Sequence, residues 1–307
     1  MNDLLRQLAP ISDAAWKAID DQARQTLTVE LAARKLVDFV GPTGWQESAR
    51  ALGRVAALAD APADGVTGAI RAVQPLVELR APFSLSRAEL EDVGRGATDP
   101  DLAPLIRAAI QIARAEDRSV FQGWAAAGIE GICGRTPHPA LAIPDRYEEY
   151  PALVADAVRT LKMAGVGGPY SIALGPRCFT GLMQAMGHGG FPVLEVVKHV
   201  VDGDVVWAPG IDGAVVLSGR GGDFELVVGR DLSIGYAGQD AGRVDFYLLE
   251  SFAFRVLTPE AAVCLRYPGG AVSASAPRRR AAARRSSGGR PAAARGRDRR
   301  RGRGGTA

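Results

Sequence analysis

Cys178 and His188 stand ten residues apart, and a thiol with an imidazole is the pairing from which a nucleophile and its base can be built. Such chemistry also needs a group to orient the imidazole and a site for the oxyanion, and neither can be named here. His188 lies in the loop Gly187-His188-Gly189-Gly190, a setting that suits a pore or an interface better than a catalytic base. The glycines around Gly219–Gly222 suggest a phosphate cradle. They lack the strand–loop–helix context that aims N–H groups and a helix dipole at an anion, so they read as a turn. Walker, GxSxG, HExxH and dinucleotide patterns are absent. Cys133, Cys178 and Cys264 are odd in number and far apart, with no CxxC spacing. This predicts free thiols in a reducing compartment, neither a disulfide framework nor a metal site. The chain reads as a non-enzyme.

The elements that would position these residues belong to a chain of 307 residues, 47% of them hydrophobic, enough for one large domain or two modest ones. Its net charge of +3 hides a division. Residues 271–307 carry 12 arginines and one acid, Asp298, for +11, so residues 1–270 carry the balance of −8. The tail is Arg, Ala, Gly, Ser and Pro, a composition that predicts disorder. Its abrupt onset also matches an out-of-frame reading of a GC-rich gene. As a nucleic-acid arm it would bind nonspecifically and with strong salt dependence, since no aromatic residues interleave. The first residues show no secretory leader, and no apolar run is long enough to cross a bilayer.

Ser12 is placed to cap a helix running to about Val37, with Trp16, Ile19, Ala23, Leu27 and Leu31 on one face. Residues 49–80 read as a long two-stranded arm, strand-like at 52–58 and 74–79, with small and flexible residues between. An arm with so little core of its own is expected to lie on a neighbouring subunit. Residues 79–90 read as strand then turn. Asp99 and Pro100 then open the longest helix, to about Ala127. A mixed lobe follows: helix to 164, strand 170–174, helices 178–186 and 194–200, strands 205–208 and 214–218. Phe224, Leu226 and Val228 alternate, as do Leu232, Ile234 and Tyr236, which predicts two short strands bent at Gly229-Arg230-Asp231. A long strand over 244–257 ends the ordered fold near Tyr267-Pro268.

Short motifs in order along the chain carry a resemblance. They are Leu8-Ala9-Pro10; Trp16 with Ile19-Asp20; Ala33-Arg34-Lys35 with Val37-Asp38; Gly41-Pro42 with Gly44-Trp45; and Leu76-Val77-Glu78-Leu79-Arg80-Ala81. Gly167-Gly168-Pro169-Tyr170, Gly221-Gly222-Asp223-Phe224, Asp231-Leu232-Ser233-Ile234-Gly235-Tyr236, Glu250-Ser251-Phe252 with Phe254, and Pro259-Glu260-Ala261 complete the set. Over residues 1–268 the chain resembles the encapsulins, shell proteins of bacterial nanocompartments, called linocin-type bacteriocins in older naming. Ala33 stands where relatives often have glycine.

The resemblance implies an α+β fold, the tailed-phage major capsid protein fold of the Hong Kong 97 type. It implies residues 1–48 as the N-terminal helix and start of a peripheral domain, 49–80 as the extended loop, and 81–134 as peripheral domain with the spine helix. It implies 135–219 as the axial domain and 220–268 as the returning strands, with 269–307 a tail outside the match. It implies a cytoplasmic homo-oligomer of roughly sixty copies closing an icosahedron. A peroxidase or ferritin-like enzyme would be held inside by a C-terminal peptide. The family's cargo groove sets Leu27, Leu31, Arg34 and Asp38 opposite Asp231, Leu232 and Ile234, with the loop at Gly187, His188, Gly189 and Gly190 near a pore. Some relatives stack a flavin on a tryptophan; the aligned position here is Ala88, and although Arg80 is kept, the aromatic face is missing. A secreted bacteriocin or protease and a phage capsid protein are the alternatives.

Overall fold

The computed structural model describes residues 3–187 and 189–269; His188 and the arginine-rich tail lie outside the described residues. Helix α1, Asp13–Glu30, begins where expected: the Ser12 hydroxyl accepts from Ala15 N–H at 3.2 Å. It buries Ala15, Ile19, Ala23 and Leu27 along one face. It stops at Glu30, short of the expected Val37, for a tertiary reason. The buried Asp117 carboxylate accepts from Ala32 N–H at 3.1 Å and Ala33 N–H at 2.8 Å, and these donors would otherwise continue the helix. A single 3-10 turn, Ala33–Lys35, follows.

After β1 (Asp38–Val40), β2 (Ala49–Ala57) and β3 (Ala69–Pro75) pair antiparallel as the expected arm. Neither strand has a buried residue, and Val55, Ile70 and Val73 are exposed. The return strand starts at Ala69, earlier than the expected 74, because pairing with β2 rather than side-chain character defines it. Strand β4 (Val77–Ser86) leads into helix α2 (Arg87–Gly94), capped by Ser86, where only a turn was expected.

Helix α3 spans Ala103–Phe121 and not 100–127. Asp101, not Asp99, binds its first N–H, that of Ala103, at 2.9 Å. At the other end the chain leaves at Gly123, whose φ of +93° and packing on the Glu130 backbone exclude a side chain. Helix α4 (Ile132–Arg135) and β5 (Leu141–Ala142) form where no element was expected; α5 (Tyr150–Met163), β6 (Tyr170–Leu174), α6 (Pro176–Gln184), α7 (Val193–Val201), β7 (Asp202–Trp207) and β8 (Ala214–Ser218) make the mixed lobe close to the expected bounds. The chain then returns through β9 (Phe224–Val228), β10 (Ser233–Gln239), β11 (Arg243–Val256) and β12 (Ala262–Arg266).

Two five-stranded sheets result. In one, β11 is central. Strand β4 lies antiparallel to it from Ser86↔Arg243 to Val77↔Phe252. Strands β9 and β10 do not pair with each other. Both register on β11, Val228 opposite Phe252 and Ser233 opposite Leu249. Backbone bonds from Gly229 N–H to Ser251 O (2.8 Å) and from Ser251 N–H to Arg230 O (2.9 Å) fix the bulge between them. The bend at residues 229–231 is therefore an interruption in one line of strand against β11. Helices α1 and α3 cover this sheet through Leu105, Ala109, Ile112, Phe83, Phe246 and Leu248. The other sheet runs β5-β12-β8-β6-β7 and packs with α5, α6 and α7 in the larger core. The described residues share one compact unit across both sheets.

Cys133 and Cys264 are joined as a disulfide, Cα atoms 5.9 Å apart, fastening α4 to β12. This corrects the expectation of three free thiols. The partners are 131 residues apart and meet only because β12 returns beside α4. Cys178 alone is free, and it is buried. Alkylation of the denatured, unreduced protein is expected to label that one cysteine; labelling of all three would show the bond does not form. Removing the bond by Cys133→Ser with Cys264→Ser should cost about 2–4 kcal/mol in denaturant unfolding.

Asp117 generates a second prediction. Burial pushes its carboxyl up to about 7 from an ordinary 3.8, against the opposing pull of the Ala33 and Ala32 N–H groups. The unfolded chain releases this proton near pH 4 while the folded chain keeps it to about 7, so this group's contribution falls as pH rises through that window. Asp117→Asn keeps an acceptor for the two N–H groups and removes the slope. The melting temperature of the variant relative to the parent is expected to be more favourable at pH 8 than at pH 5; an equal difference at both would contradict this.

Candidate binding groove

Helix α1 turns its buried Leu27 toward the start of β10, and the 3-10 turn beyond it brings Arg34 to the same place. Between them opens a groove of about 600 Å³. Leu27 and Leu31 form one wall, Leu232 and Ile234 the other, and Leu248 of β11 lies with them. Arg34 and Asp231 close one end. Six of the seven residues expected in a groove are thus brought together. The seventh, Asp38, is not: its Oδ2 accepts from Gly222 N–H at 2.6 Å, and it lines a separate hollow of about 220 Å³ with Ser171, Asp204 and Ser218. Lys35 borders both spaces.

The groove has a further wall that the sequence reading missed. Leu4 and Arg6 line it. Leu4 O accepts from Tyr236 N–H at 2.9 Å, Asp3 pairs with Arg230 at 2.6 Å, and Arg6 grips Asp20 through two bonds of 3.0 and 2.6 Å while lying over the Trp16 ring. Residue Leu5 sits at φ +52°, a left-handed conformation that costs a bulky residue roughly 1–2 kcal/mol. The flanking ion pairs hold it there. Pro10 marks the end of this segment in the sequence, but nothing local shows that it docks on β10.

Arg34 defines the charged end. Its Nε binds Glu116 at 2.9 Å, Nη2 binds Glu116 at 2.5 Å and Glu250 at 2.9 Å, and Nη1 binds Asp231 at 2.6 Å. Burial opposes its charge, but Glu116 above all, then Glu250 and Asp231, outweigh it and hold the proton more tightly than usual. Glu116 and Glu250 are wholly buried, and their part in the site had no signal in the spacing of residues. Burial, and next the Glu116 charge, raise the Glu250 carboxyl well above the usual carboxylate range.

The other candidates lie elsewhere. Gly187, Gly189 and Gly190 form a tight turn between α6 and α7, with Gly187 N–H bound to Phe191 O at 2.8 Å and Gly190 N–H to Gly187 O at 3.1 Å. Exposed Met183, Met186 and Phe191 surround that turn. His188 lies outside the described residues. Cys178 is enclosed, with its Sγ 3.1 Å from the Tyr267 hydroxyl, and burial pushes its thiol up, the reverse of what a nucleophile needs. Arg80 lies 3.5 Å over the Tyr247 ring, and Ala88 is exposed in the first turn of α2. Neither side chain supplies an aromatic face at that position. Among the described residues no helix is long and apolar enough to cross a membrane.

Residues 1–253 match the family model described as "Encapsulating protein for peroxidase". A type 1 encapsulin shell protein of Rhodospirillum rubrum is 53% identical over 271 residues, covering 87% of this chain and 97% of the relative. One from Mycobacterium tuberculosis is 44% identical over 267 residues, covering 87% and 100%. The crystal structure of a virus-like particle from Pyrococcus furiosus aligns with a TM-score of 0.60 at 19% identity, covering 81% of this chain and 98% of that one, which shows a shared fold. The expected capsid-type α+β architecture is therefore the one observed. With identity this high over nearly the whole length of its relatives, the chain belongs to the encapsulin family of shell proteins.

Proposed function

We propose that this chain forms a closed cytoplasmic shell of roughly sixty copies and that its groove holds the C-terminal peptide of an enclosed enzyme. The observation that carries the reading is the groove itself. It joins an aliphatic floor to a fixed arginine–carboxylate end, the combination that takes an extended peptide's apolar side chains and orients its main chain. The family description names a peroxidase, which makes a peroxidase the first candidate for cargo and a ferritin-like protein the second. On this reading β2 and β3 are the extended loop. The sheet around β11 belongs to a peripheral domain, and the sheet around β8 to an axial domain whose α6–α7 turn borders a pore. The chain's own role is structural.

The arm supports assembly. Its exposed Val55, Ile70 and Val73 gain cover only from another copy. Native sizing is expected to show a single large particle, and Ile70→Asp to shift it to small species; a monomeric parent protein would overturn the shell reading.

Leu232 tests the groove. Leu232→Asp sets a second carboxylate beside Asp231 against aliphatic groups, at a cost of a few kcal/mol to a bound apolar peptide. Intact shells with at least tenfold less co-purifying protein are expected. Normal loading in intact shells would remove the groove as the cargo site.

A further inference from the structure

Glu116 on α3 and Glu250 on β11 are fully buried, and neither lines the groove. Of the five N–H groups of Arg34, they occupy the one on Nε and the two on Nη2. Asp231 takes one from Nη1, which leaves one Nη1 N–H on a residue that borders the groove. Asp231 commits Oδ1 to Arg34 and to the Leu232 N–H at 2.8 Å, leaving Oδ2 on a side chain that is 46% exposed. A donor and an acceptor therefore stand side by side, matched to the C=O and N–H of an extended main chain.

We propose that Glu116 and Glu250 are positioning residues for the groove: without touching its occupant, they hold Arg34, and through it Asp231, as a paired donor and acceptor for a peptide main chain. The proposal rests on the reading of the groove as a peptide site. It also makes that site proton-linked. The charged groups facing Glu250 are Glu116 from α3, Arg34 from the 3-10 turn and Asp231 from the bulge between β9 and β10. Asp117, next along α3, faces Ala32 and Ala33, with Lys35 acting on it from a distance. Glu250 Oε1 is buried and has no hydrogen-bond partner among the described residues, while Oε2 accepts from Arg34, so a proton on this carboxyl displaces no donor. When that proton leaves, a further buried negative charge stands beside Asp231, repels it and loosens its hold on Arg34. Peptide affinity then falls as pH rises.

The test uses assembled shells and a fluorescein-labelled peptide copying about the last fifteen residues of the protein that co-purifies with them. Binding is followed by anisotropy between pH 6 and pH 9. The parent protein is expected to bind about tenfold more weakly once Glu250 has released its proton than before, the equivalent of one unit of proton linkage. Glu250→Gln, fixed in the neutral form, is expected to give a flat profile. Glu116→Gln removes the second cause of the raised carboxyl but leaves burial, so its decline is expected to move to lower pH; it serves if the first variant does not assemble. Asp117→Asn should keep the slope. A parental profile in Glu250→Gln, an unshifted one in Glu116→Gln, or loss of the slope in Asp117→Asn overturns the proposal. Unchanged peptide binding in Leu232→Asp, or shells that retain no partner, overturns instead the cargo reading beneath it.

Discussion

Arg34 is held by carboxylates from three distant parts of the chain: Glu116 of α3, Glu250 of β11 and Asp231 of the bulge. Burying a guanidinium is costly, and it is tolerable only because every buried donor is met by an acceptor. The converse makes the cluster a constraint on everything around it. Two carboxyl groups with no exposure need Arg34, so removing it would leave buried charge unpaired, a loss of about 3–5 kcal/mol for a broken buried pair. The end of α1, the spine of α3, the central strand and the groove's charged end are thereby tied to one guanidinium.

The same region explains why α1 is short. Asp117 beside Glu116 captures the N–H groups of Ala32 and Ala33, and this turns the chain so that Arg34 enters the cluster instead of continuing along a helix face. On the sheet side, Gly235 lets Tyr247 cross the strand: a Cβ there would lie 2.2 Å from the Tyr247 ring. The ring then lies under Arg80. The groove is thus built from an interrupted helix and an interrupted strand, each stopped by a specific contact.

The arm contrasts with this rigid centre. It meets the body through few groups, among them Arg50, which reaches Glu225 at 3.2 Å beside Arg255. Those two arginines overcome the effect of burial and keep Glu225 below the usual carboxylate range, so the anchor stays ionic near neutrality. Beyond that base the hairpin has no buried residue, and a two-stranded ribbon without a core is marginal on its own.

Much of the architecture was legible because it depends on local pattern. Alternation marked β9 and β10, turn residues and small side chains marked the arm, and Ser12 marked the start of α1. Ordered motifs around Trp16, Arg34 and Asp231–Tyr236 carried the family and most of the groove. What remained hidden depends on residues far apart in the chain. The early stop of α1 needs Asp117, and the Cys133–Cys264 bond needs β12 beside α4. The docking of residues 3–8 on β10 needs Arg230 and Asp20. The removal of Asp38 from the groove needs Gly222. Side-chain type and spacing determined most of the elements and the face that α1 buries. Only the tertiary structure decided which buried charges meet, because a buried ion's energy is set by its partners in space and not by its neighbours in sequence.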